Sequence, residues 1–429
     1  MGFMRRLSFI SAIILIHILG YSQNIFSPTD TLKLTLQEAE KRFIEKNFLL
    51  ISQKYGIEAA KGQIIQAKLW DNPTISLEQN TYNNETHRYF DVTESGETAV
   101  DFDQLFVLAG KRNKKVKLEK INTEIAEYQF YDLLRTLKYE LRTNFYDLYF
   151  LQQSMIVYDN EIQKLKKIVE IYNAQQKKGN VSLKETTRLK AELFSLENER
   201  FQMLDSIRAK QGTIKLLIGD TLRNCFYPIL DNSIQNKISI NDLNLSNLEK
   251  MTFENRYDLK IYESQVKYQE MNYSLQKATA VPDMHLTGRW DRAGSYIKNY
   301  QAVGLSFDLP LWNLNRGNIV TAKNQLEQSK ALTTNYKYQV KTELMQSLSR
   351  LSEIEKMYNS FDKQISGDFT QLMDAIILNY EKRNISLLEF IDYFETYKSS
   401  IIQMNALMNN RVDTFEELNF VIGKDYLKY

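Results

Sequence analysis

The chain has 429 residues, and only five are proline and 15 glycine, so long helices are permitted because both residue types weaken helix interiors. The 55 basic and 53 acidic residues nearly balance, which gives no reason to propose a nucleic-acid partner. A single cysteine, Cys225, excludes an intrachain disulfide. We find no nucleophile–base pair, phosphate-binding loop or metal-ligand spacing, and therefore expect no enzymatic activity, no cofactor and no metal site.

Residues 1–22 have the parts of a secretory signal peptide. Arg5 and Arg6 form the charged region, LSFISAIILIHIL is the apolar core, and Gly20-Tyr-Ser22 has the pattern of a cleavage site. The apolar run is shorter than the roughly 20 residues of a spanning helix, so a retained membrane anchor is the less favoured alternative. We predict an exported protein that is cleaved after Ser22.

Short motifs recur in the same order at nearly constant separation, which predicts two copies of one structural unit. The pairs are FDQLFVLAGKR (102–112) with FDLPLWNLNRG (307–317), KGNVSL (178–183) with KRNISL (382–387), and LIG (217–219) with VIG (421–423). We assign residues 23–219 to the first repeat, 220–244 to a linker, 245–423 to the second repeat and 424–429 to a C-terminal tail.

Each repeat has the same predicted order of elements. A helix of about 35 residues comes first, at Thr35–Trp70 and Leu245–Ala280. Two alternating segments follow, then a very long helix, Lys114–Gln176 in the first repeat and Asn318–Tyr380 in the second. The first long helix carries apolar side chains at alternating steps of three and four, the spacing of a coiled-coil seam. They are Leu148, Leu151, Met155, Tyr158, Ile162, Leu165, Val169 and Tyr172.

A short turn separates each long helix from a last helix of about 35 residues. The turn residues of interest are Gly179, Asn180 and Val181 in the first repeat, and Arg383, Asn384 and Ile385 in the second. Ser182 and Ser386 then predict helix N-caps, and Glu185 and Glu389 complete the pattern of a capping box three residues later.

The alternating segments predict strands with one apolar and one polar face. In the second repeat Met284, Leu286 and Trp290 point one way, while His285 and Arg289 point the other. We expect strands of about 9–11 residues, the length of a tilted transmembrane barrel strand. Four strands cannot close a barrel, since about eight is the minimum, so we expect a homotrimer with a twelve-stranded barrel.

In these motifs, and in Trp70-Asp-Asn-Pro73 and Val281-Pro-Asp283, the chain resembles the TolC family of trimeric outer-membrane efflux channels. GKR with PLWNLNRG looks most like the cobalt–zinc–cadmium resistance branch. The resemblance implies a mostly helical fold: a long-helix periplasmic α-barrel, an outer-membrane β-barrel and an equatorial belt. It also implies contact with outer-membrane lipid in a Gram-negative bacterium. It further implies docking onto a periplasmic adaptor protein and, through it, onto an inner-membrane pump.

The resemblance also implies a pore gate formed by acidic residues just after the second turn. The matching residues are Glu389 and Asp392, which are three apart and share a helix face. Three chains would place six carboxylates around one constriction, which favours cations. The alternative is that Glu389 is only the capping-box acid and Asp392 a solvated surface charge.

We therefore predict a passive exit duct of a tripartite efflux system that exports small molecules or metal cations. One alternative is the outer-membrane channel of type I protein secretion, which would use the same duct. An alternative from another class is a secreted coiled-coil structural protein. Paired alternating segments disfavour it, because a fibre does not need strands with a polar face.

Overall fold

The computed structural model describes residues 31–220, 225–230, 244–293, 296–360 and 365–427. For residues 365–371 it describes the backbone alone. The predicted signal peptide and most of the predicted linker lie outside the described residues.

The chain is mostly helical, with a small part in strands. In the first half the elements are β1 (Thr31–Thr35), α1 (Leu36–Lys46), α2 (Phe48–Lys68), β2 (Thr74–Gln79), β3 (Tyr82–Asn83), β4 (Arg88–Tyr89), β5 (Thr98–Phe106), α3 (Lys111–Lys177) and α4 (Leu183–Leu217). In the second half they are β6 (Cys225–Ile229), α5 (Leu245–Asn255), α6 (Tyr257–Thr279), β7 (Met284–Asp291), β8 (Tyr300–Phe307), α7 (Arg316–Ser360), α8 (Ile365–Glu381) and α9 (Leu387–Ile422). Both halves contain two helices, two long strands, a long helical stretch, a turn and a last helix, in that order.

The 67 residues of α3 make a helix about 100 Å long. Its predicted seam is confirmed: six of the eight seam residues are buried, and Leu151 and Tyr172 are half-buried. The seam packs against α4 and α9 in two successive apolar clusters. Among the described residues, no helix combines the length and the apolar character needed to cross a membrane.

The first helix predicted in each repeat, Thr35–Trp70 and Leu245–Ala280, is broken once in the structure, so the prediction of one continuous helix there was wrong. At the first break, Asn47 Oδ1 accepts a hydrogen bond from the backbone N–H of Leu49 (3.0 Å), and Nδ2 donates to the Leu217 carbonyl (3.0 Å). At the second, Arg256 has extended backbone and binds the Asp258 carboxylate (Nη2–Oδ2 2.6 Å). At Asn47 the side chain competes with the helical hydrogen bonds and starts a new helix.

The four long strands form one antiparallel sheet in the order β2-β5-β7-β8. They contain six to nine residues, so most are shorter than predicted. In the last strand, pairing stops at Phe307 because Pro310 lacks an N–H and restricts the backbone of Leu309. Within the described residues, β2 and β8 each pair on one side only.

The register places apolar side chains together on one face of the sheet, as predicted. Their set is Ile75, Leu77, Val100, Phe102, Phe106, Met284, Leu286, Trp290, Val303, Leu305 and Phe307. The other face carries the charged set Glu78, Asp101, Asp103, His285, Arg289 and Asp291. The single chain leaves the apolar face uncovered: Leu77 is 75% exposed and Val303 is 82% exposed. A contiguous exposed apolar face of this kind marks a membrane or partner contact.

A second, two-stranded sheet was not predicted. β1 pairs with β6 in parallel, and Leu32, Leu34 and Phe226 are buried in the apolar cluster around α3. Cys225, which sequence analysis placed in a linker, begins β6 and is exposed. The pairing joins segments nearly 200 residues apart, and each strand has only five residues. Such short, distant strands leave little periodic signal in a sequence.

Candidate functional site at the helix tips

Two helical hairpins end side by side. The first hairpin is α3, the turn 178–182 and α4, and the second is α8, the turn 382–386 and α9. Gly179 (φ 76°) and Arg383 (φ 60°) have left-handed backbone at matching positions. In each turn an asparagine side chain reaches back: Asn180 Nδ2 donates to Gln175 (2.8 Å), and Asn384 Nδ2 donates to Asn379 (3.0 Å). The two turns therefore share one conformation.

Both predicted capping boxes are present. The Ser182 and Ser386 hydroxyls accept from the backbone N–H of Glu185 and Glu389, each at 3.2 Å. The Glu389 carboxylate in return accepts from the Ser386 N–H at 2.8 Å. That backbone hydrogen bond lowers the pKa of Glu389, which therefore stays ionised at neutral pH.

The two residues of the predicted gate lie on one exposed face of α9. Glu389 and Asp392 are both exposed, whereas Phe390, Ile391 and Phe394 point into the bundle and are buried. The Glu389 side chain makes the hydrogen bonds of its capping box, as the alternative interpretation holds. The carboxylate nevertheless remains at the surface, so capping and a role at a pore are compatible.

The tips pack around stacked aromatic rings. Tyr380, at the end of α8, stacks on Tyr172 of the first hairpin (centroids 5.2 Å apart) and on Phe390 of α9 (4.4 Å). Val181 and Ile385 are half-buried in the turns, and Gly179, Asn180, Arg383 and Asn384 are exposed. Arg383 Nη2 also donates to the Asn180 carbonyl at 3.1 Å. The structure thus brings the two sets of turn residues into direct contact.

A charged cluster lies between the hairpins around the buried Lys398, and the sequence did not predict it. Lys398 of α9 is 4% exposed, and its Nζ lies 2.9 Å from both Glu199 of α4 and Glu395 of α9. The Tyr158 hydroxyl of α3 donates to Glu199 (3.1 Å). The spacing of charged residues along α4 and α9 resembles that of any solvated helix face, so the sequence carries little signal for the cluster.

The junctions between sheet and helices are held by contacts between the two halves and within the first half. Lys111, the first residue of α3, is buried, and its Nζ lies 2.8 Å from Asp283 and 2.6 Å from the Val281 carbonyl. The Arg112 guanidinium lies over the Trp70 ring at 3.8 Å. The motifs that first suggested a repeat therefore join strand to helix.

Histidine and carboxylate side chains meet on the polar face of the sheet. His285 Nδ1 lies 2.8 Å from Asp103, and Nε2 lies 3.6 Å from Asp308. His87 lies apart, in the β2–β5 loop, next to the Tyr82 hydroxyl (3.0 Å). In the described part of the chain, no group of three or more His, Cys, Asp or Glu side chains could hold a metal ion.

Comparisons with known proteins agree with this architecture. The cobalt-zinc-cadmium resistance protein CzcC of Cupriavidus metallidurans is 16% identical over 392 residues, which are 91% of this chain and 90% of CzcC. The CmeC outer membrane channel of Campylobacter jejuni superposes with a TM-score of 0.75 at 14% identity, over 92% of this chain and 87% of CmeC. No family model matches the chain.

The outer membrane protein VceC of Vibrio cholerae gives a TM-score of 0.71 at 15% identity, over 91% of this chain and 97% of VceC. The likeness spans nearly the whole of each molecule, from the strands to the helix tips. The resemblance to TolC-family channels is confirmed at the level of the fold, and the chain has the fold of an outer-membrane channel subunit.

Proposed function

We propose that the chain is the outer-membrane exit duct of a tripartite efflux system. It acts as a passive homotrimer in the outer membrane of a Gram-negative bacterium and extends into the periplasm. One observation carries this proposal: a two-faced sheet, whose two edge strands each pair on one side only within the described residues, is joined directly to α3, a helix about 100 Å long.

The sheet supports a closed, membrane-embedded assembly. An exposed row of unpaired N–H and C=O groups is costly in lipid and must be satisfied by another strand. In a trimer, β8 of one chain would pair with β2 of the next, and twelve strands would close. The uncovered apolar face, with Leu77 and Val303, would then contact lipid, and the charged face would line the lumen.

The helical hairpins support a periplasmic tunnel that ends at the tips. The exposed turn residues Gly179, Asn180, Arg383 and Asn384 are available to a periplasmic adaptor protein. Through that adaptor the duct would connect to an inner-membrane pump, which supplies the energy. We propose no catalytic role for the duct itself.

The polar face of the sheet favours cations as cargo. Within the strands it carries the carboxylates of Glu78, Asp101, Asp103 and Asp291 against one arginine, Arg289, and one histidine. A lumen lined in excess by carboxylates attracts cations without binding them tightly. CzcC is a cobalt-zinc-cadmium resistance protein, so divalent metal cations are the cargo that we propose to test first.

The first experiment is to fractionate cells that express the full chain and to measure the mass of the particle extracted from the outer membrane in detergent. A trimer in that fraction is the expected result. A soluble monomer or dimer would overturn the duct and favour a coiled-coil structural protein. Zinc and cobalt tolerance of the same cells, measured with the matching adaptor and pump, then tests the cargo.

A further inference from the structure

A notch interrupts the apolar face of the sheet at Gly288 in β7. The register places Gly288 opposite Phe102 of β5 and opposite Val303 of β8, so all three positions lie on the apolar face. The notch has a volume of about 450 Å³, and its apolar lining consists of Val100, Phe102, Trp290 and Val303. This volume lies within the range of small-molecule sites, roughly 300–1,000 Å³.

The backbone of β7 does not require a glycine at this point. Pairing with both neighbouring strands continues without a bulge from Met284 to Asp291, and Gly288 does not have left-handed backbone. A Cβ atom on Gly288 would lie 3.9 Å from the Cβ of Phe102, which is an ordinary contact. Glycine weakens a strand interior and often marks a place where a ligand approaches closely. The missing side chain therefore leaves a space that a larger residue could fill.

The notch has a polar mouth at the end of the sheet away from the helices. Beyond Trp290, the next residue on this face is Arg292, whose guanidinium lies 5.6 Å from the centre of the Trp290 ring. Gln301, which pairs with Trp290, is exposed. Toward the helices, the same face continues with Leu286 and Leu305. The notch is thus apolar along its length and polar at one end only.

Arg292 places a positive charge at this mouth. Its Nη1 donates hydrogen bonds to the carbonyls of Val92 (2.6 Å) and Thr93 (3.4 Å), two neutral acceptors that fix its position. A guanidinium recognises phosphate through charge-assisted hydrogen bonds, which are often bidentate. A hydrocarbon chain beside a phosphate is the chemistry of a membrane lipid, and it matches an apolar notch with a cationic mouth.

We propose that the notch binds one acyl chain of a phosphorylated membrane lipid, and that the phosphate of this lipid contacts Arg292. The site rests on the proposed duct function, which places the apolar face of the sheet in the membrane. Because the mouth lies away from the periplasmic helices, the lipid belongs to the outer leaflet. The acyl chain supplies the packing contacts that Gly288 does not make, so the lipid is a fixed part of the barrel wall.

The test measures the tryptophan fluorescence of the purified full-chain particle in phosphatidylcholine nanodiscs. The nanodiscs contain a rising fraction of phosphatidylglycerol, an anionic phospholipid, with bromine on its acyl chains. Bromine quenches a tryptophan that it touches, and Trp290, one of three tryptophans in the chain, lines the notch. Brominated phosphatidylcholine, which has no net charge, is the comparison lipid. A lipid site fills before the bulk bilayer does, so its quenching saturates at a low fraction of brominated lipid.

Two pairs of variants locate the site. Gly288→Leu fills the notch, and Leu305→Phe is its matched control, because Leu305 is an exposed residue of the same face that does not line the notch. Arg292→Gln removes the cation at the mouth, and Lys298→Gln removes an exposed cation from the same loop. Trp290→Phe identifies the tryptophan that reports the site.

In the wild type and in both control variants we expect part of the quenching by brominated phosphatidylglycerol to saturate at a low fraction. Gly288→Leu and Trp290→Phe should leave only quenching that is proportional to the fraction of brominated lipid. Arg292→Gln should reduce the preference for phosphatidylglycerol over phosphatidylcholine about fivefold, the effect of one basic residue near an anionic membrane surface.

The wild type alone can overturn the site, even if a variant fails to assemble. Quenching that is proportional to the lipid fraction and equal for the two lipids would overturn the lipid site and leave the duct intact. Saturation that survives Gly288→Leu would also overturn the site, since the lipid would then lie elsewhere. No quenching by either brominated lipid would mean that the sheet lies outside the bilayer, which overturns the duct and the lipid site together.

Discussion

Arg383 in the second turn donates a hydrogen bond from Nη2 to the backbone carbonyl of Asn180 in the first turn, at 3.1 Å. Asn180 and Asn384 occupy matching positions in the two turns, so the bond crosses between equivalent parts of the two halves. Arg383 makes it from a left-handed backbone conformation (φ 60°) that a non-glycine residue rarely adopts. The bond therefore links the two hairpins at the point where the proposed channel must open.

We predict that Arg383→Ala raises the resting conductance of the channel in planar bilayers. A net hydrogen bond contributes about 1 kcal/mol, so its loss shifts a closed–open equilibrium about fivefold per chain. Lys382→Ala is the control, because it removes the neighbouring exposed cation and keeps the bond. Equal conductance in the two variants would show that charge, and not the link, sets the resting state.

Two substitutions at Glu389 can separate its role in the capping box from the effect of its charge at the predicted gate. Glu389→Ala would remove both, but Glu389→Gln keeps a capping box while removing the charge. We expect the double variant Glu389→Gln/Asp392→Asn to lose cation selectivity, measured as the reversal potential in a salt gradient. Glu185→Gln, the same change in the other capping box, should leave it unchanged. Selectivity retained in the double variant would reduce both residues to helix-surface charges.

Local patterns were enough to predict much of the tip. The seam of α3 and the boxes Ser182–Glu185 and Ser386–Glu389 depend on spacings of three or four residues, which a sequence displays directly. The strand faces were predictable for the same reason, because their period is two.

Contacts between distant segments were not predictable in this way. The break at Asn47 depends partly on the carbonyl of Leu217, 170 residues away. The Lys111–Asp283 pair and the Lys398–Glu199 pair likewise join different halves of the chain. A single sequence shows that each residue is polar, but only the packed fold shows which partner makes its burial tolerable.

The sheet allows a matched test of its two faces. Leu77 lies on the apolar face and Ser76, its neighbour in β2, on the polar face, opposite Asp101. We expect Leu77→Arg to reduce outer-membrane assembly, since arginine on a lipid face costs up to about 2–4 kcal/mol near the bilayer midplane. Ser76→Arg should be tolerated, because the lumen is wet and Asp101 is near. The readout is the amount of trimer in the outer membrane, and equal losses would contradict the assignment of faces.

Gly219 lies where the end of α4 meets the break between α1 and α2, and we expect a glycine to be required there. It has φ 64°, and a Cβ atom there would lie 2.8 Å from the Lys46 carbonyl oxygen. We expect Gly219→Ala to destabilise the chain by about 2–3 kcal/mol through strain and overlap. Gly179→Ala is the control: its φ is 76° but the space around it is open, so it should cost about 1 kcal/mol. Thermal unfolding in detergent measures both, and equal costs would contradict a packing role for Gly219.

Because of Asp413 in α9, we predict that the free energy of unfolding of the chain depends on pH. Burial, with a contribution from the nearby Asp147 carboxylate, raises its pKa to about 7 from an ordinary value of 3.8. Between these values the unfolded chain releases the Asp413 proton and the folded chain keeps it. The folded state therefore loses stability as pH rises to 7, and above 7 the loss is complete. Since one pKa unit corresponds to about 1.4 kcal/mol, the loss is at most about 4 kcal/mol.

Asp413→Asn removes this titration while preserving the size of the side chain. We expect the variant to unfold at a higher temperature than the wild type at about pH 8, and the difference to shrink as the pH falls below 3.8, where the wild-type carboxyl becomes protonated in both states. Asp205→Asn, at an exposed carboxylate of α4 paired with Arg208 one turn away, should change stability little at either pH. The measurement is the unfolding temperature of the detergent-solubilised full chain across this range. A difference between Asp413→Asn and wild type that does not vary with pH would mean that Asp413 is already ionised in the folded chain, because only a retained proton makes the wild type lose stability as pH rises.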